Sequence, residues 1–99
     1  MPYIAPGRRA CIEDDRGLIH PHEIATVGEL NFAISRLMAI FASNRVTDGA
    51  KPGYSILSEA KAAANDAATE WYRRIMAPYE DKKCAENGDV YGRDFGGEA

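Results

Sequence analysis

The sequence lacks any long apolar run, and this lack excludes a large class of proteins. Nowhere in its 99 residues do apolar side chains approach the roughly 18–20 consecutive positions that a membrane-spanning helix needs. The first ten residues, MPYIAPGRRA, also lack the apolar centre of a signal peptide. We therefore expect a protein that has no membrane partner and that works in the cytoplasm.

Cysteine and basic charge are also scarce. Cys11 and Cys84 lie far apart and form no C-x-x-C pair, which is typical of free thiols in a reducing compartment. The formal net charge of −3 disfavours duplex DNA as a partner, because proteins that bind it usually present a basic face. The sequence contains no Walker loop, G-x-S-x-G, H-E-x-x-H or dinucleotide fingerprint, so it indicates no enzyme and no cofactor.

The length bounds the architecture. A chain of 99 residues is enough for one domain, which we expect to cover residues 1–99. A monomer of this size buries only roughly 60–65% of the surface that its unfolded chain exposes. Association of several copies would add buried surface, so we expect a homo-oligomer.

The first main helix is predicted to cover about residues 27–43. Thr26 and Glu29 stand in the S/T-x-x-E arrangement of a capping box, in which each residue satisfies a backbone amide of the other. Behind them an apolar face repeats with the period of a helix. We expect this face to belong to the core, and it consists of Leu30, Ile34, Leu37, Met38 and Phe41.

The second main helix is predicted to cover about residues 55–77, antiparallel to the first. No glycine or proline occurs between Ile56 and Ala77, and strong helix formers dominate the segment. Its expected inward stripe is Leu57, Ala60, Ala64, Ala67 or Ala68, Trp71 and Ile75. Pro78 cannot donate a backbone hydrogen bond and should kink or end the helix, after which a short extension should stop at Asn87-Gly88.

The ends of the chain show no regular period. Residues 1–20 contain two prolines and two glycines and are predicted to form an extended arm, with at most a short helical turn, that is ordered only if it packs on the rest. Residues 92–99 are predicted to be a flexible tail. The sequence thus predicts an all-α protein of two main helices with a proline-kinked C-terminal extension.

A metal site is a weak alternative near the N terminus. His20, His22 and Glu23, with Asp14 and Asp15 nearby, are residue types that bind zinc. The proline between the histidines and the lack of a second ligand pair favour a solvated helix start, so we predict no metal site.

Residues 70–91 are the best candidate for a binding site, because cations, rings and amides are concentrated there. Arginine forks match phosphate or carboxylate, and aromatic rings stack on bases. Arg74 and Lys82 are eight residues apart and share one stripe if the helix continues, and together with Tyr79 near the kink at Pro78 they are predicted to converge on an anion. The competing interpretation is a solvated ion-pair face in which Glu70 reaches Arg73 and Arg74 at i+3 and i+4.

Several short motifs resemble a family of short uncharacterised proteins of tailed bacteriophages and prophages. The motifs are the opening MPYI, GELNF at 28–32, Arg73-Arg74, APYED at 77–81 with Lys83, and NGDVY at 87–91. This chain departs from the family pattern at Phe32, where tyrosine is common, and in its alanine-rich 60–68 segment. The resemblance implies a phage setting and hence the cytoplasm of a host cell.

In that setting we predict a counter-defence protein that binds and sequesters a small nucleotide-like immune signal without cleaving it. The expected partner is a phosphate-containing ligand, and the expected ligand-binding residues are Asn31, Arg73, Arg74, Tyr79, Lys82, Lys83, Asn87 and Tyr91. The alternative is a phage structural or host-protein-binding interaction module, because arginine and tyrosine are also enriched at protein interfaces. A weaker third possibility is single-stranded nucleic acid, bound through stacked rings and cations.

Overall fold

The computed structural model describes residues 1–91 and confirms the all-α prediction. The elements are α1 (Pro6–Ile12), a 3-10 turn (Pro21–Glu23), α2 (Val27–Thr47), α3 (Tyr54–Trp71), a π turn (Tyr72–Met76) and α4 (Ala77–Asn87). Within residues 1–91 the only β-type pairing is an isolated bridge between Glu13 and Ile19. The predicted flexible tail, residues 92–99, lies outside the described residues.

The contacts divide the chain into two compact units, one formed by Met1–Ala64 and one that begins at Asn65. In the described part of the chain, no helix is both long enough and apolar enough to cross a membrane.

In the first unit, α2 begins as the sequence predicts. The Thr26 hydroxyl accepts a hydrogen bond from the Glu29 amide at 3.1 Å, and Oε1 of Glu29 accepts from the Thr26 amide at 3.1 Å. The same carboxylate oxygen also accepts from the Ala25 amide at 2.9 Å. Three backbone donors at the helix start are therefore satisfied by two side chains.

The Glu29 carboxylate also connects α2 to the N-terminal segment. Glu29 is buried, and its second oxygen accepts from Nε of Arg8 at 2.8 Å. Arg8 in turn donates to the side chain and the backbone carbonyl of Glu23 at 3.2 and 2.8 Å. The hydrogen bond from Arg8, followed by that from the Ala25 amide, lowers the pKa of Glu29. A buried carboxylate is stable here because it is paired and hydrogen-bonded.

The core of the first unit lies between the N-terminal segment and α2. Ile12 at the end of α1 has no exposed surface, and it packs with Phe32 and Ala33 of α2. Partly buried Ile4, Ile19 and Ile24 surround these three residues. Phe32 is thus a packing residue in a position where a hydroxyl would need a partner.

The prediction of an extended arm is wrong for residues 6–12, which form α1. Seven residues give too few turns for an apolar period to show in the sequence, and so short a helix is marginal by itself. Its stability comes from tertiary contacts, namely burial of Ile12 and the ion pairs of Arg8. The chain approaches α2 closely at Gly28, where a Cβ atom would lie 3.2 Å from Cγ2 of Ile4.

The turn after α1 is held by the Asp14 side chain. Its Oδ1 accepts from the amides of Arg16 and Leu18 at 2.9 and 3.0 Å, and Gly17 adopts a φ of 78° that favours glycine. Oδ2 of Asp14 lies 2.9 Å from Nε2 of His20. The hydrogen bond with His20, and then that from Leu18, lowers the pKa of Asp14.

The predicted core face of α2 is largely exposed, which corrects the sequence interpretation. Leu30, Ile34, Leu37 and Phe41 are 39–53% exposed, and the N-terminal segment instead covers the neighbouring face that carries Phe32 and Ala33. The apolar period was real, but a period does not say what covers the face. The helix also continues to Thr47 because no glycine or proline interrupts residues 44–47.

Asp48 caps the end of α2, and Gly49 follows with a φ of 99° in the connection to α3. Arg45 near the end of α2 pairs with Glu59 of α3 at 3.1 Å. In this part of α3, Ile56 and Ala60 are buried, whereas Leu57 is 62% exposed. The predicted inward stripe is therefore correct at Ala60 and wrong at Leu57.

In the second unit the helical path does not stop at Pro78. After Trp71 it widens into the π turn, in which the amide of Ala77 donates to the carbonyl of Tyr72 five residues earlier, and Met76 and Ala77 keep helical dihedral angles. A proline clashes with the carbonyl four residues before it in a regular α-helix, and a π turn changes that spacing. The expected break is thus replaced by a widened turn. As predicted, α4 ends at Asn87-Gly88, where Gly88 has a φ of 95°.

Candidate functional site

The two arginines of the second unit form an ion-pair face. Arg73 donates from Nε and Nη2 to the two carboxylate oxygens of Glu70 at 3.1 and 2.8 Å. Nη1 of Arg74 lies 3.9 Å from the same carboxylate. All three side chains are more than half exposed, so each pair contributes only a few tenths of a kcal/mol. Both arginines therefore pair with Glu70, as expected for a solvated ion-pair face.

An exposed apolar surface lies beside this charged face. Trp71, Ile75, Met76 and Tyr79, which we call the Trp71 face, line a shallow cavity of about 400 Å³ with Glu80 at its edge. Trp71 is 59% and Tyr79 is 62% exposed. The prediction that Trp71 and Ile75 point into the core is therefore wrong, because both side chains are more than half exposed.

A second concave surface lies between the π turn and the end of the chain's described part. Its volume is about 570 Å³, and we call it the Tyr72 groove. Its lining includes Tyr72, Lys83, Asn87, Gly88 and Tyr91, and also the acidic residues Glu80, Asp81 and Asp89. Two tyrosines and an amide side chain are suited to the edge and face of a planar ring.

The hydrogen bonds of the Tyr72 groove fix part of its lining. The Tyr72 hydroxyl donates to Oε1 of Glu80 at 2.7 Å, and this hydrogen bond, together with the carboxylate charge, raises the pKa of Tyr72. The Tyr91 amide donates to Oδ1 of Asp89 at 2.9 Å. Nζ of Lys83 lies 3.3 Å from Oε1 of Glu86 and 5.7 Å from the ring centroid of Tyr79.

The charges in the Tyr72 groove are mostly negative. Three carboxylates and one lysine line it, so a phosphate placed there would meet more repulsion than attraction. A neutral or cationic ring, or a hydrogen-bond donor, would be accommodated more easily. Sequence reasoning missed the contribution of these carboxylates, although each lies within two residues of one that it selected.

The predicted site residues are distributed over several places. Lys83, Asn87 and Tyr91 share the Tyr72 groove, whereas Tyr79 belongs to the Trp71 face. Lys82 is exposed on α4. Asn31 belongs to the first unit, where its Oδ1 accepts from the Ser35 hydroxyl at 3.4 Å.

The residues considered for metal or redox chemistry have ordinary surroundings. Nε2 of His20 is hydrogen-bonded to Oδ2 of Asp14 at 2.9 Å, and Nε2 of His22 lies 3.6 Å from Oε2 of Glu23. Among residues 1–91, no three His, Cys, Asp or Glu side chains are grouped to hold a metal ion. Cys11 and Cys84 are exposed free thiols.

Comparison with known proteins finds one family. A family model described as "Domain of unknown function (DUF6899)" matches residues 1–90. No curated protein and no solved structure matches the chain. The matched range includes the whole Trp71 face and all of the Tyr72 groove except Tyr91.

Proposed function

The chain belongs to the DUF6899 family of unknown function, and we propose that it is a non-enzymatic interaction module whose Trp71 face binds a protein partner. The observation that carries this proposal is the exposure of Trp71, Ile75 and Tyr79 along one helical path. Exposed apolar patches that are rimmed by polar groups mark binding surfaces. Here Glu70, Arg73 and Arg74 supply the polar rim.

The composition of this surface matches that of protein interfaces. Trp, Tyr and Arg dominate the residues whose truncation weakens protein complexes most. The shallow cavity at the Trp71 face gives an apolar side chain of the partner a place to enter. The resemblance to phage proteins supports a partner of phage or host origin in the host cytoplasm.

The test compares alanine variants of two exposed aromatic residues, one inside the Trp71 face and one outside it. Wild-type protein is used to capture partners from infected cells, and each captured protein is then purified and titrated against the chain by calorimetry. Trp71→Ala should weaken binding by roughly 30-fold or more, since loss of a central aromatic contact costs about 2 kcal/mol or more. Tyr54→Ala is the matched control, because Tyr54 is 82% exposed and lies outside the Trp71 face.

Two results would refute the proposal. One is that Trp71→Ala binds the purified partner as tightly as the wild type does. The other is that no captured protein binds again when both components are pure. Circular dichroism of the variant must show unchanged helicity, since an exposed side chain should not be needed for folding.

A second candidate function is sequestration of a nucleotide-like immune signal without cleavage. The Tyr72 groove favours it, because Tyr72 and Tyr91 flank a concave surface that also presents the Asn87 amide. The acidic lining directs the base or ribose into the groove and leaves the phosphate outside it. Arg73, Arg74, Lys82 or Lys83 would then have to reach the phosphate from the rim.

This candidate predicts a rise in melting temperature with a cyclic dinucleotide or an ADP-ribose-type signal, because a ligand that binds only the folded state stabilises it. The ligand should be recovered intact by chromatography after the protein is denatured. Tyr91→Ala should abolish the shift, while Tyr54→Ala should keep it. A panel of such signals that leaves the melting temperature unchanged would rule the candidate out.

A further inference from the structure

The exposed side of α2 has the spacing of a coiled-coil seam. From its first residue, apolar side chains follow in alternating steps of three and four, at Val27, Leu30, Ile34, Leu37 and Phe41. This is the a/d pattern over two heptads. All five side chains are 39–83% exposed, while the face that carries Ile12's partners Phe32 and Ala33 is covered by the N-terminal segment. We call these five residues the α2 seam.

We infer that the α2 seam pairs with the α2 seam of a second copy of the chain, in a two-fold symmetric contact. Knobs at a and d fit into holes of a helix that has the same period, and under two-fold symmetry the partner's seam supplies them. The seam spans 14 residue steps, which corresponds to roughly 21 Å of helix. The seam is limited at both ends by polar residues. Thr26 precedes Val27, and Asn44 occupies the d position that follows Phe41.

The charges of α2 permit two copies to approach. Between Val27 and Phe41 the charged residues are Glu29 and Arg36. Glu29 is neutralised by Arg8, and Arg36 donates to both carboxylate oxygens of Glu13. Both pairs lie towards the N-terminal segment, so the seam itself brings no like charges together.

The exposed area is sufficient for a small specific interface. A fully exposed side chain of this size presents on the order of 100–200 Å². Scaled by their exposed fractions, the five seam residues present roughly 400 Å² per copy, which is in the range of a functional surface patch. With the polar rim, formed in part by Asn31 and Ser35, a two-fold contact would bury on the order of 1,000 Å² in total, the lower bound for a specific interface.

The experiment compares two leucines of equal exposure. Leu37 in the seam is 53% exposed, and Leu18 in the turn after α1 is 54% exposed. Each is changed to glutamate in the full chain, and the mass in solution is measured by sedimentation over a range of concentrations. The wild type should have twice the mass of one chain. Leu37→Glu should raise the dimer dissociation constant by roughly 100-fold or more, because symmetry places two unpaired carboxylates in an apolar contact.

The remaining outcomes separate the inference from its rivals. Leu18→Glu should stay dimeric, and both variants should keep the helical circular dichroism of the wild type. A wild-type chain that remains a monomer at high concentration overturns the inference and would mean that another partner, or another part of the same chain, covers the seam. An oligomer that Leu37→Glu does not weaken also overturns it, because the contact would then lie elsewhere.

Discussion

Replacement of Ile12 by alanine is expected to lower the free energy of unfolding of the first unit by about 3 kcal/mol. Ile12 has no exposed surface, and loss of roughly three methylene equivalents at about 0.8 kcal/mol each gives about 2.4 kcal/mol. The cavity that remains adds about 24 cal/mol per Å³. Because Ile4, Ile19 and Ile24 are only partly buried, they can move towards the gap and keep the total in the lower half of the usual range of about 2–5 kcal/mol.

The assay is urea unfolding followed by far-ultraviolet circular dichroism. The midpoint should fall while the slope stays constant, as for a change in stability alone. Leu18→Ala is the control, since Leu18 lies in the next turn but is 54% exposed, and a surface substitution of this kind should change stability by about 0.5 kcal/mol or less. If Ile12→Ala and Leu18→Ala gave equal midpoints, the core between α1 and α2 would not exist as described.

Three further predictions concern the capping network and the Tyr72 groove. Thr26→Ala removes the acceptor at the start of α2 and should cost about 0.5–2 kcal/mol; an unchanged urea midpoint would contradict the capping bond. Because Arg8 and the Ala25 amide lower the pKa of Glu29 below that of a free glutamate, the contribution of this group to stability is complete at neutral pH, and it is lost in acid as the pH falls through the lowered pKa of the folded protein. Glu29→Gln should therefore lower the melting temperature at pH 7 and lose this difference in acid, and parallel pH profiles would refute the assignment. Tyr72→Phe should remove a tyrosine whose ionisation lies above the usual range in an ultraviolet titration, because the hydrogen bond to Glu80 raises the pKa of Tyr72; a titration curve that loses no absorbance change at its high-pH end would contradict the hydrogen bond.

Local signals in the sequence predicted local structure well. The Thr26–Glu29 capping box and the Asn87-Gly88 stop lie where their residue types place them, because each depends on backbone groups within a few residues. The sequence does not predict the short α1, because the stability of this helix depends on contacts with residues that are distant in sequence. One such contact is the hydrogen bond that Arg8 of α1 donates to Glu29. Short-range propensity contains no information about such contacts.

The partners of apolar faces could not be predicted from periodicity. Leu37 and Trp71 stand in regular helical patterns that predict burial in the core, yet both are more than half exposed. A pattern shows that a face avoids water, but it does not show whether the same chain or another one covers that face. This is why the two proposed interfaces emerge only when the exposed surface is known.

The candidate site was predicted in part. Lys83, Asn87 and Tyr91 do share a groove, because the Asn87-Gly88 turn folds the following residues back beside α4. The grouping of Arg74 with Tyr79 and Lys82 stays a prediction: Arg74 lies beside Glu70, Tyr79 belongs to the Trp71 face, and Lys82 is exposed on α4. A widened turn has no signature in the sequence apart from the proline that follows it.

The π turn at Tyr72–Met76 gives the second unit a place where the length of the chain can change by one residue with little effect on α4. A π turn holds one residue more than the α-helical turn it replaces, whereas each residue of a regular α-helix rotates the chain by about 100°. Removal of one residue from this turn should therefore close it to an α-helical turn and keep Tyr79 beside Trp71. Removal of one residue from the regular turns of α4 should instead rotate the residues that follow by about that angle and separate Tyr91 from Tyr72.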